Sequence, residues 1–277
     1  MINLMWAEWL KLKANRWVAL FTIAILPLGT FILLNILAGL AIVNIWQPEM
    51  MTINWQEQII LGLLFANQLI SQTLFIILGA ITFGGEYRWQ TWKNIIPRTS
   101  RVKLVLSKYF IIMLAMLVAI HSMALMTLIG SWEISLALNI PFVSGAWNEV
   151  STPFVQQYLW LTIALFFNYS VATLYAVIVT IITRSTVAGI ILGVLIAFGD
   201  LLSQSTFDLV ASLMSVDAIA VIPRILPNYN VQNMMQWIIS GATFENWSLG
   251  LSFVLLSIWI SIGISASTIL FGRQDIH

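Results

Sequence analysis

The sequence contains no cysteine and only two histidines, His121 and His277. The absence of cysteine excludes disulfides, thiolate metal sites and cysteine nucleophiles, and two histidines leave little from which to build a metal cluster. The sequence also lacks a GxxxxGK[ST] phosphate-binding loop, an HExxH zinc motif and a recognisable Ser-His-Asp set. We therefore predict no catalytic residue, no metal site and no cofactor bound by this chain, and we do not expect it to be an enzyme.

Charged residues are also scarce. They make up 8% of the chain, whereas 60% of the residues are apolar and the mean hydropathy is +0.94. Soluble domains contain about 25% charged residues. Long apolar runs with so little charge predict a helical integral membrane protein rather than a β-barrel. The formal net charge of +1 gives no indication of nucleic-acid binding, because the basic residues flank the apolar runs.

The apolar runs predict an all-α membrane protein with six spans in a single transmembrane domain, residues 1–277. The predicted spans are residues 17–45, 57–83, 102–129, 154–182, 187–202 and 247–271. Residues 1–16 form an amphipathic pattern, which predicts an interfacial helix anchored by Trp6 and Trp9. Residues 203–246 hold apolar pieces too short to cross a bilayer, so we expect external, interfacial or re-entrant helices there.

The basic residues predict the orientation of these spans. Lys11, Lys13, Arg16, six basic residues between positions 88 and 108, Arg184 and Arg273 fall on one side, and only Arg224 falls on the other. By the positive-inside rule, both termini and the segment of residues 84–101 are predicted to be cytoplasmic.

That segment, between spans 2 and 3, carries much of the charge. Gly84-Gly85 is expected to precede a short helix that Pro97 ends. Its apolar face would hold Trp89, Trp92 and Ile96, and its polar face would hold Glu86, Gln90, Lys93 and Asn94. Such a helix is expected to lie in the cytoplasmic interface. The pattern fits either a solvated positive-inside loop or a docking element for a cytoplasmic partner.

Polar and small residues also occur inside the spans. Asn67, Gln68, Ser71 and Gln72 share one arc of span 2, where their side chains need partners. They would either bond neighbouring helices or line a substrate path. Gly189 and Gly193 form a GxxxG pair in span 5, which would serve close packing or a dimer seam. Otherwise the span interiors hold essentially one ionisable group, His121, expected to be neutral and hydrogen-bonded.

The order of these features resembles the permease subunit of type-2 (ABC-2) ATP-binding cassette exporters. The family's segment between spans 2 and 3 usually reads Gly-Glu-Tyr, then Gly-Thr, apolar residues, Pro, Ser-Arg and a Lys. Here the matching residues are Gly85-Glu86-Tyr87, Thr91, Ile95-Ile96, Pro97, Ser100-Arg101 and Lys108. The sequence departs from the pattern at Gln90, where the family commonly has Gly.

The resemblance implies a pair of permeases, as a homodimer or heterodimer, in a bacterial-type plasma (inner) membrane. Each would rest on one of two ATPase subunits, which bind ATP and Mg²⁺ on their own chains, and no nucleic acid is involved. Trp89 and Trp92 would hold the segment against the bundle, and spans 1, 2 and 5 would form the seam and pathway. The residues implied to contact the ATPase are Glu86, Tyr87, Arg88, Gln90, Thr91, Lys93, Asn94 and Arg98. A channel or carrier without an ATPase, or a non-transporting scaffold, remains the alternative, and the substrate stays open.

Overall fold

The computed structural model describes residues 2–14, 20–43, 52–89, 92, 99–143, 152–241, 243 and 247–274, and these residues are almost entirely helical. The α-helices, in chain order, are α1 (Ile2–Ala14), α2 (Ile25–Ile42), α3 (Trp55–Ala66), α4 (Leu69–Arg88), α5 (Arg101–Leu138), α6 (Thr152–Thr183), α7 (Thr186–Met214), α8 (Pro227–Ser240) and α9 (Leu249–Gly272). A π-helix, Leu20–Ala24, leads into α2, and a 3₁₀-helix, Asp217–Ile225, precedes α8. Two short strands, β1 (Ile53–Asn54) and β2 (Phe142–Val143), pair in parallel.

Local polar residues set several helix ends. The side-chain oxygens of Asn54, Ser100 and Ser185 accept hydrogen bonds from the first-turn N–H groups of α3, α5 and α7. These N–H groups have no partner inside their helix, so a short oxygen-bearing side chain is favoured at that position. At their other ends, α5 and α7 stop at Asn139 and Ser215, which adopt the left-handed conformation.

Helix α6 lies at the centre of the bundle, in contact with α3, α4, α5, α7, α8 and α9. Its side chains are mostly buried, and the Tyr169 ring stacks on Phe75 of α4 with 4.5 Å between centroids. Helix α2 packs instead against α5 on the outside of the bundle. The core is therefore organised around α6 and α4, and both reach the same end of the molecule.

Five described helices are long and apolar enough to cross a membrane: α4, α5, the Phe154–Thr183 part of α6, α7 and α9. The first predicted span, residues 17–45, contains a shorter apolar helix, Ile25–Leu40. The all-α membrane fold is thus confirmed, whereas the count of six spans stays a prediction.

The second predicted span, residues 57–83, is not one continuous helix. The backbone leaves the helical conformation at Asn67 and Gln68, so α3 and α4 are separate helices. Gly84-Gly85, expected to precede a new helix, lies inside α4. A side chain at Gly84 would collide with Thr186 at the start of α7, so glycine there permits close packing rather than a turn.

Two other helices run past their predicted ends. Helix α7 continues to Met214 instead of stopping at residue 202, so Asp200 and Asp208 are helical. Helix α5 extends to Leu138 instead of residue 129. Hydropathy shows where an apolar run ends. A helix extends for as long as successive residues form its backbone hydrogen bonds, so it can continue past that point. Within the segment of residues 203–246, α8 has 14 residues, about 21 Å at 1.5 Å per residue, which is shorter than a membrane core.

The ends of the helices lie at two levels along the bundle. One level, which we call the basic end, holds most of the described basic residues: Lys11, Lys13, Arg88, Arg101, Lys103, Lys108, Arg184 and Arg273. The other level, the opposite end, holds β1, β2 and the 3₁₀-helix with Arg224. Contacts between Arg101 and the carbonyl of Phe271, and between Gln274 and the carbonyl of Ile181, join distant segments at the basic end.

Of the two roles predicted for Gly189 and Gly193, close packing within the chain is observed, and the dimer seam stays a prediction. A Cβ atom at Gly193 would lie 3.0 Å from the Cα atom of Ala176 in α6, and one at Gly189 would collide with Thr180. The GxxxG pair of α7 therefore permits close approach to α6.

Replacing Gly193 with Leu is expected to destabilise the bundle, because the new side chain would overlap the α6 backbone. Overpacking of this kind costs roughly 1–3 kcal/mol. Gly199 lies on the same helix with nothing within 4 Å of its Cβ position, so Gly199→Leu is the matched control. Thermal unfolding in mild detergent should show a lower midpoint for Gly193→Leu only, and equal midpoints would contradict this packing.

Candidate functional site

Four charged side chains from three helices meet at the basic end. We call Glu8 and Lys11 of α1, Glu86 of α4 and Lys108 of α5 the charge cluster. The Lys108 ammonium lies 2.8 Å from Glu8 Oε2 and 3.0 Å from Glu86 Oε1, and the Lys11 ammonium lies 2.8 Å from Glu8 Oε1 and 2.6 Å from Glu86 Oε1. Two positive and two negative groups alternate, so the cluster has no net charge.

Lys108 is the buried centre of this cluster, with 1% of its side chain exposed. Its third hydrogen bond goes to the carbonyl oxygen of Thr82 at 3.1 Å, so all three ammonium donors are used. The rings of Phe83 and Trp92 lie 5.9 and 5.4 Å from the nitrogen, where a cation is attracted to an aromatic face. A buried charge with complete hydrogen bonding offsets much of its own desolvation cost.

Helix periodicity brings the members of the cluster together. Glu8 and Lys11 are three residues apart on one face of α1, and Thr82 and Glu86 are four apart on one face of α4. Lys108 lies two turns after the Ser100 cap of α5, within an otherwise apolar stretch. The cluster therefore fixes α1 against the last turn of α4 and the second turn of α5.

Lys11 is the member that reaches solvent, with 45% of its side chain exposed. Burial by itself lowers the pKa of Lys11, but the hydrogen bonds and charges of Glu8 and Glu86 together outweigh burial and raise that pKa above its ordinary value. Lys11 therefore keeps its charge throughout the neutral range.

The position of Glu86 contradicts its prediction. The helical pattern placed Glu86 on a face exposed to the cytosol, whereas its side chain is 7% exposed and pairs with Lys11 and Lys108. The local pattern could not show this, because Lys108 is 22 residues away and Lys11 is 75 residues away.

Tyr87 and Trp92 also point into the chain. The Tyr87 hydroxyl donates to Gln274 Oε1 at 2.6 Å, and the Trp92 ring packs against Phe271 with 4.4 Å between centroids. Trp92 is 1% exposed, so its expected packing against the bundle is observed. Trp89 is 72% exposed, and among the described residues the Arg88 guanidinium lies over its ring, at 5.4 Å.

Arg101 joins the start of α5 to the end of α9. Its guanidinium donates to the carbonyl oxygens of Phe271, Gly272 and Gln274 at 3.0, 2.8 and 2.8 Å. The last carbonyl groups of a helix have no partner within the helix and carry partial negative charge, so a cation there is stabilising. The segment between α4 and α5 is therefore anchored at both ends.

The remaining predicted residues of this region lie in α1 and in the segment between α4 and α5. Trp6 of α1 is exposed, and Trp9 is half-buried. These placements are compatible with interfacial anchoring, which remains a prediction. Five of the implied ATPase contacts lie outside the described residues, namely Gln90, Thr91, Lys93, Asn94 and Arg98.

The polar arc of the second predicted span lies where α3 and α4 separate. Gln72 donates to Asn168 Oδ1 of α6 at 3.1 Å, and Asn168 donates to Asn67 Oδ1 at 2.6 Å. Ser71 is buried, and Gln68 is exposed. Of the two interpretations, helix–helix bonding is therefore observed for Asn67 and Gln72, while Gln68 has the exposure that a path-lining residue needs.

An acidic side chain also lies within α7, contrary to the expectation that His121 stands almost alone. Asp200 accepts a hydrogen bond from the Tyr175 hydroxyl at 3.0 Å. The backbone N–H of Asn228 also donates to it, with 3.2 Å between that nitrogen and Asp200 Oδ2. It thus caps the first turn of α8, where a carboxylate is stabilised by the helix dipole. The ring nitrogen Nδ1 of His121 lies 2.8 Å from the carbonyl oxygen of Leu117.

Several of these residues were absent from the sequence-based site. Glu8, Lys11 and Lys108 carried a detectable signal as charged residues on largely apolar helices, but the sequence did not show that they pair with one another and with Glu86. Asn168 and Asp200 lay within or beside apolar runs and carried no motif. Within the described ranges, no group of three or more His, Asp or Glu side chains lies close enough together to hold a metal ion.

Replacing Lys108 with Met is expected to leave Glu8 and Glu86 buried beside a single cation. Breaking a buried ion pair in this way costs roughly 3–5 kcal/mol, which corresponds to a thermal midpoint lower by on the order of 10 °C. Lys103 is exposed on the same helix, so Lys103→Met is the control and should leave the midpoint unchanged. A Lys108→Met protein as stable as wild type would show that the cluster contributes little.

Comparison with known proteins identifies the family of the chain. The profile of a family described as ABC-2 family transporter protein matches residues 4–200. The match runs from α1 to the middle of α7 and includes the whole charge cluster. No curated protein and no solved structure matches the chain. Because the match covers more than half of the sequence, the chain belongs to the ABC-2 transporter family and is a multi-pass membrane permease of an ABC transporter.

Proposed function

We propose that this permease is the membrane subunit of an ATP-driven exporter that moves its substrate out of the cytoplasm or inner leaflet of a bacterial-type plasma membrane. It would work as a pair of permeases on two separate ATPase subunits, which bind ATP and Mg²⁺. The observation that carries the proposal is the double anchoring of the segment between α4 and α5. The charge cluster holds the α4 end of that segment and Arg101 holds the α5 end, while Trp92 between them packs against Phe271.

The distribution of charge supports the orientation. The basic end includes α1, the end of α4 and the start of α5, whereas Arg224 lies at the opposite end. The positive-inside rule then places the basic end and both termini in the cytoplasm, where an ATPase can reach the segment.

The anchoring supports a revised division of roles within the segment. Glu86 and Tyr87 have their side chains engaged inside the chain, so we assign them to holding the segment rather than to contacting the ATPase. Arg88 is exposed at the end of α4 and remains a proposed contact. The other proposed contacts are Gln90, Thr91, Lys93, Asn94 and Arg98.

Through these contacts, a displacement of the segment would be transmitted to three helices at once. Displacing the segment moves the end of α4 through Glu86, the start of α5 through Lys108 and Arg101, and the end of α9 through Phe271. Energetic coupling between distant sites travels through such packed and hydrogen-bonded contacts. We propose that ATP binding changes the α3–α4 break by this route and that Gln68 lines the substrate path there.

The alternative of a carrier that needs no ATPase is less well supported. Such a carrier usually keeps a buried ionisable group available for its coupling ion. Asp200 is a partly buried acid of α7, but its carboxylate already accepts hydrogen bonds from Tyr175 and from the start of α8. This bonding suits a structural cap better than an ion site.

Docking is tested by reversing two basic residues of the segment together, Lys93→Glu and Arg98→Glu. The tagged chain, purified from its native membrane in mild detergent, is expected to bring an ATPase with it in equal stoichiometry, measured by mass spectrometry. The double variant should lose at least about nine-tenths of that ATPase, because a salt-dependent charged contact becomes repulsive.

Lys103→Glu provides the control, since it reverses an exposed charge at the basic end outside the segment. Full retention of the ATPase by the double variant would contradict docking through this segment. A wild-type chain that purifies without an ATPase would contradict the proposal of an ATPase partner.

Transmission is tested with a single cysteine, which the cysteine-free sequence makes straightforward. Maleimide labelling of Gln68→Cys is expected to change at least about threefold when the complex is trapped with ATP and vanadate. Adding Glu86→Gln and Lys108→Gln should abolish the change while the ATPase stays bound, because the link between segment and bundle is then neutral and weaker. Adding Lys103→Gln instead should preserve it. An unchanged response in the Glu86→Gln, Lys108→Gln background would contradict the transmission role of the cluster.

A further inference from the structure

A large cavity opens at the basic end between α1, α4, α5 and the first turns of α7. Its volume is about 1100 Å³, which is at the upper limit of ordinary ligand pockets, roughly 300–1,000 Å³. It extends along α4 from Arg88 and Trp89 down to Leu78. Ten residues of helix separate Leu78 from Arg88, so the cavity reaches about 15 Å along the bundle.

The walls and the mouth of this cavity have different chemistry. The apolar lining residues come from three helices: Leu78, Ile81, Ile111, Ile112, Val187 and Ile190. In the described part of the chain, the charged lining residues are Lys11, Arg88, Lys108, Arg184, Glu8 and Glu86. Four positive and two negative groups leave a surplus of two positive charges. Since the charge cluster is neutral, Arg88 and Arg184 account for the surplus.

We infer that this cavity binds an anionic phospholipid from the leaflet at the basic end, with the headgroup at Arg88, Arg184 and Lys11 and an acyl chain along the apolar wall. A phosphate group suits a mouth with surplus positive charge, and arginine pairs with phosphate through two parallel hydrogen bonds. A soluble anion would make no use of the apolar wall, whereas an acyl chain can pack along it. The cavity therefore fits an amphiphile better than a solute.

The position of the cavity favours an anionic lipid over a zwitterionic one. In the orientation proposed above, its mouth lies at the cytoplasmic surface, where anionic lipids concentrate and basic residues attract them. Helix α1 borders the mouth with an exposed, tryptophan-bearing surface, as expected for a helix in the headgroup region.

Lys11 connects this site to the charge cluster. Its ammonium bonds Glu8 and Glu86, yet its side chain is 45% exposed and lines the cavity. A bound headgroup would therefore lie beside the contact that holds α1 to α4. The inference shares the orientation with the proposed function but needs no ATPase, so each can fail without the other.

The test is native mass spectrometry of the purified full chain, titrated in detergent with phosphatidylglycerol or phosphatidylcholine. Wild type is expected to retain one phosphatidylglycerol per chain, with at least a tenfold preference over phosphatidylcholine. The double variant Arg88→Gln, Arg184→Gln should reduce that preference to less than threefold. Its control, Lys103→Gln with Arg273→Gln, removes two charges at the same end from residues outside the cavity lining, and should keep the tenfold preference.

A second pair of variants tests the apolar wall. Ile190→Trp fills the cavity and should reduce lipid retention at least fivefold, whereas Ile262→Trp, on an exposed face of α9, should not. Equal retention of both lipids by wild type would overturn the anionic preference, and retention unaffected by the cavity variants would overturn the site. Displacement of the lipid by millimolar inorganic phosphate alone would show that the occupant is a soluble anion, which also overturns the proposal.

Discussion

The charge cluster is the interaction on which the basic end depends. Two carboxylates and two ammonium groups from α1, α4 and α5 lie within 3.0 Å of their partners, and the central ammonium, on Lys108, is almost fully buried. Such a group is tolerated in an apolar bundle only with opposite charge and complete hydrogen bonding around it. The arrangement therefore makes the position of each of the three helices conditional on the other two.

The charge cluster also constrains the segment between α4 and α5. At one end, Glu86 is held by the cluster, and at the other, Arg101 holds the carbonyl groups that end α9. Trp92 lies between them against Phe271. In the interior of the bundle, by contrast, the α3–α4 break is held by neutral amide bonds through Asn168. The chain thus combines a charged end with a polar helix break deeper in the bundle.

Sequence reasoning succeeded where a property is local and failed where it depends on a distant partner. The membrane class follows from composition, and the apolar run that begins at residue 102 predicted the start of α5 to within one residue. Glu86 was placed on the wrong face because its partners are 22 and 75 residues away. The glycine pair of α7 correctly indicated a close helix contact. The pattern does not show whether the partner helix belongs to another copy of the chain or is α6 of the same chain.

By itself, the sequence determined that this chain is a helical membrane protein with its basic residues on one side, because apolar length and charge act independently of the fold. It also carried the pattern of the transporter family. Only the tertiary structure decided that Glu8, Lys11, Glu86 and Lys108 form one buried site, that the second predicted span is broken at Asn67, and that Asp200 caps α8. The physical reason is that burial and ion pairing are properties of contacts between helices, and helical periodicity specifies a face without specifying what that face meets.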